Sequence, residues 1–368
     1  MRLLIVTFDP PENVGGIEGR AVGYTRELVA RQVPLSVVSV SKVRTFSAKP
    51  FFGTVLYQYS SRLRYLPLVL VHVIRKVRSG PDGTVFLLSG GITLLGVMIL
   101  LFARITGRNS ATFYYGKDIL QGRQSLESSV LLAASIRLSR RIVTNSWFTR
   151  SLLPEKFRRK IAVLYPSADC PSGQATIVKD DKKKILFVGR LVPRKGVDDL
   201  IEAFRLIREE VPGVTLELVG DGEDRQRLQR LVRKNGLDDE VTFFGTLRGE
   251  ALHDRYRLCS VFAMPSKTLA DDVEGFGTVF LEAGCFSKPS VGTFSGGIPE
   301  AILDGATGML VREGDIDGLV AALEKLLVDS DFSRKLGDNA HRRVLDEFTW
   351  KRGTDMLVRI LESKKEAT

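Results

Sequence analysis

Short apolar runs alternate with helical stretches along the whole chain, and the series runs twice. Strand candidates in the first half are 3–8, 35–40, 85–88, 111–115, 142–144 and 161–164. In the second half they are 184–188, 215–219, 241–244, 261–264, 289–291 and 309–311. One intervening helix carries Val197, Leu200, Ile201, Phe204 and Ile207 on a single apolar face. Strands separated by helices imply parallel sheets covered on both faces. A polar stretch, 167–183, breaks the series: Pro171, Ser172 and Gly173 precede Lys179-Asp-Asp-Lys-Lys-Lys184. The expected class is α/β, with two doubly wound Rossmann-like domains. Their bounds are 1–167 and 184–345, joined by a linker over 168–183. A length of 368 residues suits two cores better than one.

The longest apolar run, 92–102, is too short to cross a bilayer as a helix. The opening Met1-Arg-Leu-Leu-Ile-Val reads as a buried strand, without a signal-peptide pattern. Cys170, Cys259 and Cys285 are scattered, with no CxxC, so neither disulfide nor structural zinc is expected, and a reducing cytoplasm fits.

The net charge of +11 is unevenly placed: between Lys42 and Gly80 there is no Asp or Glu. Within that stretch Arg62, Arg64, Arg75, Lys76 and Arg78 flank long apolar side chains. An anionic membrane surface would suit such a helix. A core helix with solvated ends would look the same, and no nucleic-acid module is present to favour nucleic acid.

The motifs lie at strand ends. Gly15-Gly16 precedes a helix over 17–31, a phosphate site of modest specificity. Gly189-Arg-Leu-Val-Pro-Arg-Lys-Gly196 follows a strand and offers Arg190 as a planar fork and Lys195 as a point charge to a diphosphate. A solvated loop is the alternative. Gly220-Asp-Gly222 ends the next strand, and Ser295-Gly-Gly-Ile-Pro-Glu300 forms another turn. In Val273-Glu-Gly-Phe-Gly-Thr-Val-Phe-Leu-Glu282, the glycines at 275 and 277 permit positive φ before a helix from Thr278. Glu274 and Glu282 could then face one pocket, with backbone from Phe276 to Thr278 beside them. A capped helix with two solvated glutamates is the plainer reading. Ligands of open α/β sheets bind beyond the carboxyl ends of the strands, where these motifs converge. His72, His253 and His341 read as helix residues, and Asp315 and Asp317 as an N-cap pair, so no metal site is expected.

Together these motifs resemble those of the retaining glycosyltransferases of family 4, with the GT-B fold, most closely over 184–312. The form Asp272-Val-Glu-Gly also looks like that of the phosphatidylinositol mannosyltransferases. The resemblance implies a hexosyltransferase using a nucleotide-sugar donor, without metal or other cofactor. It implies that Arg190 and Lys195 bind the donor diphosphate, Glu274 the sugar hydroxyls and Glu282 the ribose. Gly15 and Gly16 would approach the phosphate from the first domain. The donor would occupy a cleft between the domains, with a helix over 346–368 crossing back to the first. Tyr115-Gly-Lys-Asp118 stands where family members often carry His-Gly-x-Asp/Glu, so Tyr115 and Asp118 are assigned to the acceptor side. A lipid-linked or membrane-bound glycan is the expected acceptor, at the inner face of the membrane. A small-metabolite acceptor, or a non-catalytic nucleotide-sugar-binding protein of the same fold, are the rival readings.

Overall fold

A computed structural model describes residues 2–8, 16–41, 47–51, 54–60, 66–78, 83–89, 91–171 and 183–363. The chain divides into two units, 1–167 with 350–368, and 168–349.

The first unit opens with β1 (Arg2–Thr7), α1 (Gly16–Ala30), β2 (Leu35–Ser41), β3 (Ser47–Phe51) and β4 (Thr54–Ser60). It continues through α2 (Leu66–Arg78), β5 (Gly83–Leu87), α3 (Leu94–Ile105), β6 (Asn109–Tyr114), α4 (Gly116–Gln121) and α5 (Leu126–Leu138). β7 (Arg141–Thr144), α6 (Trp147–Ser151) and β8 (Ile161–Val163) follow. The strand order is β3-β4-β2-β1-β5-β6-β7-β8. Every pairing is parallel except β3 with β4. Alternation along β1 builds two cores. Leu3 and Ile5 join one cluster, with α1, and Leu4 and Val6 join another, with α2 and α3.

The second unit begins with β9 (Lys184–Val188), α7 (Val197–Glu210), β10 (Thr215–Val219), α8 (Arg225–Lys234), β11 (Val241–Gly245), α9 (Gly249–Leu258) and β12 (Val261–Ala263). Next come α10 (Thr278–Cys285), β13 (Ser290–Thr293), α11 (Ile298–Ala301), β14 (Gly308–Val311), α12 (Ile316–Val328) and α13 (Ser330–Glu347). Its parallel sheet runs β11-β10-β9-β12-β13-β14. The predicted apolar face of α7 is buried: Val197, Leu200, Ile201, Phe204 and Ile207. Asp315 caps α12, its side chain accepting from Gly318 N at 2.8 Å. The last helix, α14 (Trp350–Glu362), packs on α1 in the first unit: Trp350 meets Tyr24 edge-on at 5.4 Å, and Arg31 pairs with Asp355 at 2.6 Å.

Two expectations need correction. The β3–β4 hairpin was not anticipated. Pro50 argues against a strand, and it is tolerated because β3 lies at the sheet edge. Cys170 and Cys285, 115 residues apart, form a disulfide, against the expectation of none. No spacing pattern could announce it, because only the tertiary fold brings their Cα atoms to 4.8 Å. Cys259 is free and buried. Among the described residues no helix is long and apolar enough to cross a membrane. The apolar run at 92–102 forms most of α3.

Candidate active site

The order of the second sheet reverses between β9 and β12, the place where open α/β sheets bind ligands. These strands feed the 189–196 loop and Met264-Pro-Ser266. Pro193–Lys195 forms one 3-10 turn, and Gly196 follows at φ 65°. A Cβ on Gly196 would lie 1.9 Å from the Pro265 carbonyl oxygen, so glycine alone lets the two loops touch. That contact brings Lys195 Nζ to 3.2 Å from Met264 Sδ.

Glu274 meets the same loop. Its Oε2 accepts from Lys195 Nζ at 2.5 Å and from Arg194 Nη1 at 2.8 Å. Arg194 Nε lies 3.1 Å from Asp272 Oδ1. Both cations are buried, at 6% and 8% exposure. Among the described residues Oε1 of Glu274 accepts no hydrogen bond, which leaves it for a ligand hydroxyl. Burial would raise the Glu274 pKa, but Lys195 and Arg194 outweigh it and bring it to about 2. Burial likewise weighs most on Lys195 and lowers its pKa, with Glu274 pulling the other way. Arg194 resists its own burial through Glu274 and Asp272, and its pKa rises. The backbone of Glu274 is fixed as well. Gly297 N donates to its carbonyl at 2.9 Å, and Gly296, at φ 53°, leaves room for that oxygen where a Cβ would lie 2.2 Å away.

Glu282 lies one turn into α10, and its Oε2 accepts from the Tyr256 hydroxyl of α9 at 2.8 Å. Burial raises its pKa, opposed by that bond and by the charges of His253 and Lys195. Lys195 thus acts electrostatically on both glutamates. Burial and Glu282 together push the Tyr256 phenol well up, so it stays a donor. Between the glutamates, Phe276 anchors the Gly275–Gly277 turn. Its ring is 1% exposed and meets Phe348 edge-on at 5.7 Å. Gly277, in the left-handed conformation, opens α10, with Thr278 its first residue.

Arg190 is exposed on the β9 loop, and its charge contributes to lowering the Lys195 pKa. Gly220 follows β10, its N–H donating to Gly245 O at 2.7 Å. The structure therefore bonds Lys195 to Glu274, while Glu282 and Arg190 are linked to Lys195 through charge alone. Arg194, Asp272 and Tyr256 are additions. Arg194 was visible beside Lys195 in the Arg-Lys-Gly triplet, whereas Tyr256, on another helix, had no sequence signal.

In the first unit, Gly16 opens α1 and Gly15 lies outside the described residues. Tyr115 follows β6 directly and caps α4, its N–H donating to Asp118 Oδ2 at 3.1 Å. Arg62 and Arg64 lie outside the described residues, as do the side chains of Lys76 and Arg78 on α2. Arg75, on the same helix, is exposed. His72, His253 and His341 are helical, as expected.

Residues 173–343 match the family model of glycosyl transferases group 1. A GDP-mannose-dependent alpha-(1-6)-phosphatidylinositol monomannoside mannosyltransferase of Mycolicibacterium smegmatis is 36% identical over 51% of this chain. The chain spans only about half of that relative's length, 50%. A GDP-mannose-dependent monoacylated alpha-(1-6)-phosphatidylinositol monomannoside mannosyltransferase of Corynebacterium glutamicum is 29% identical over 99% of this chain and 98% of its own. Among solved structures, Anabaena Alr3699/HepE in complex with UDP aligns over 99% of this chain and 100% of its own, with a TM-score of 0.78 and 18% identity. With the GT-B fold along its length and that family match across the second unit, the chain carries a glycosyltransferase group 1 domain.

Proposed function

We propose that this chain is a retaining, metal-independent glycosyltransferase that moves a hexose from a nucleotide-sugar to a hydroxyl of a lipid-linked acceptor. The observation that carries the reading is Glu274, an ionised carboxylate with one oxygen held by Lys195 and Arg194 and the other without a protein partner among the described residues. At neutral pH Glu274 accepts hydrogen bonds from sugar hydroxyls. Lys195 and Arg190 sit on the diphosphate side and stabilise the charge that develops as the anomeric C–O bond breaks towards phosphate. The acceptor oxygen bonds to the anomeric carbon on the same face, and its proton passes to the leaving phosphate oxygen. Glu282 takes the ribose hydroxyls, oriented by Tyr256.

Two relatives are described as GDP-mannose-dependent enzymes acting on phosphatidylinositol mannosides, which supports mannose and a phospholipid acceptor. A patch on the first unit supports work at a membrane. α2, α3 and α5 are packed neighbours. They expose Leu68, Val71, Leu94, Leu101, Ile105 and Leu126, and α2 and α3 contain cations but no acidic residue. Apolar side chains flanked by cations suit an anionic bilayer.

The test is a thermal-shift screen of sugar nucleotides, followed by transfer assays with and without EDTA. A donor at 100 times its Kd stabilises by about 2.7 kcal/mol. Turnover that survives EDTA supports the reading, and turnover restored only by a divalent ion removes metal independence. Binding without hydrolysis or transfer would make the chain a non-catalytic nucleotide-sugar-binding protein.

A further inference from the structure

Arg20, on α1, is 4% exposed and forms no ion pair among the described residues. Its guanidinium carbon stands 4.7 Å from the ring centre of Phe113 and 5.1 Å from that of Tyr115. Those rings stack on one another at 4.8 Å. Ring contacts occupy the face of a guanidinium, whereas its N–H donors lie in its plane and are not engaged by the rings. Nε and Nη1 are buried, and neither donates to any described residue. A buried cation without a counter-ion is costly, and an unsatisfied buried donor calls for an explanation.

Its position supplies one. Helical side chains lean towards the helix N-terminus, which directs Arg20 towards the first turn of α1. The N–H groups of that turn lack intrahelical acceptors and carry the positive end of the dipole. Tyr115 follows the carboxyl end of β6, and α1 follows β1. At the same end, Thr7 Oγ1 and Ser89 Oγ are hydrogen-bonded at 3.1 Å, joining the end of β1 to the segment after β5. This is the switch point of the first sheet, where the strand order reverses between β1 and β5.

We infer that Arg20 is a phosphate-binding residue of the first unit, presenting its in-plane N–H edge to a phosphoryl group while Phe113 and Tyr115 back its face. A planar fork matches phosphate oxygens in pairs. Two molecules could bring that group: the diphosphate of the donor, or the phosphodiester of a phospholipid acceptor. The choice between them rests on the proposed function, and the phosphate chemistry does not.

Calorimetric titration separates the possibilities. Wild type, Arg20→Gln and Arg20→Lys are titrated with pyrophosphate, GDP, myo-inositol 1-phosphate and, as an uncharged control, myo-inositol. Arg20→Gln should weaken a phosphorylated probe about 10–100-fold, the range for one lost charge-assisted hydrogen bond, and leave myo-inositol unchanged. Arg20→Lys should recover part of the loss. Weakening confined to GDP and pyrophosphate assigns the donor, and weakening confined to myo-inositol 1-phosphate assigns the acceptor. Phosphate binding through Arg20 in a protein that turns over no sugar nucleotide would remove the functional reading and keep the phosphate site. The inference fails if wild type binds no phosphorylated probe, or if Arg20→Gln binds them all as wild type does. A melting temperature lowered equally with and without probe, at unchanged affinity, would make Arg20 a packing residue held by the Phe113 and Tyr115 rings and also overturn it.

Discussion

Glu274 shares one oxygen between two buried cations, and this decides its charge and its share of stability. Its pKa falls from 4.5 to about 2 on folding. A depressed carboxyl contributes stability that is fully present above 4.5 and is lost as the pH falls towards 2. Glu274→Gln removes the carboxylate at every pH and strands Lys195, a loss of about 3 kcal/mol for a broken buried pair. Urea unfolding should therefore show wild type ahead of the variant at pH 7, with the gap closing between pH 4.5 and 2. A gap independent of pH would mean that Glu274 is not ionised in this pair. The sequence made Lys195 and Glu274 legible because each sits in a short motif between glycines. It placed Lys195 on the diphosphate and Glu274 on the sugar without showing that the two are bonded. That bond depends on Gly196 and Gly296 bringing three loops together, a tertiary fact with no local pattern.

Among elements, the central strands of the second sheet were readable because they are near-continuous buried runs: 184–188 and 215–219 appear as β9 and β10 without change. The β3–β4 hairpin was not readable, since Pro50 and the polar-apolar mixture of β4 do not form such a run. The turn Ser295–Gly297 carries a prediction. Gly296→Ala would force φ 53° on a side chain and press a Cβ against the Glu274 carbonyl, which is backbone and cannot swing away. It should cost about 1–3 kcal/mol in chemical denaturation, the range for a strained backbone site, and weaken donor affinity by displacing Glu274. Unchanged affinity would separate this turn from the site. The α2–α3–α5 patch carries another. Leu101→Glu with Ile105→Glu adds charge at exposed positions, so melting should not change. Pelleting with phosphatidylserine vesicles should fall at least tenfold, and wild-type pelleting should weaken as salt rises. Salt-insensitive pelleting, or none, would leave these helices as a solvated surface.

For the whole molecule, two repeats of the strand-helix series announce two doubly wound units, and each unit has its own sheet. What the repeats could not announce is the disulfide between Cys170, at the start of the second unit, and Cys285, at the end of α10. Cys259 is buried, and burial pushes its thiol up to about 12. Native protein should therefore resist alkylation. Protein denatured without reductant should take up one alkyl group per chain, and three after reduction. Three without reductant would restore the expectation of free thiols. We propose that Lys195, Glu274 and Glu282 form a nucleotide-sugar site with divided roles. The most direct measurement is calorimetric titration of Glu274→Gln and Glu282→Gln with GDP and with GDP-mannose, beside turnover. Glu282→Gln should weaken both ligands, because both carry the ribose. Glu274→Gln should lower kcat while GDP affinity stays close to that of wild type. Loss of GDP affinity in Glu274→Gln with none in Glu282→Gln would reverse the two roles, and no change in either variant would contradict the site itself.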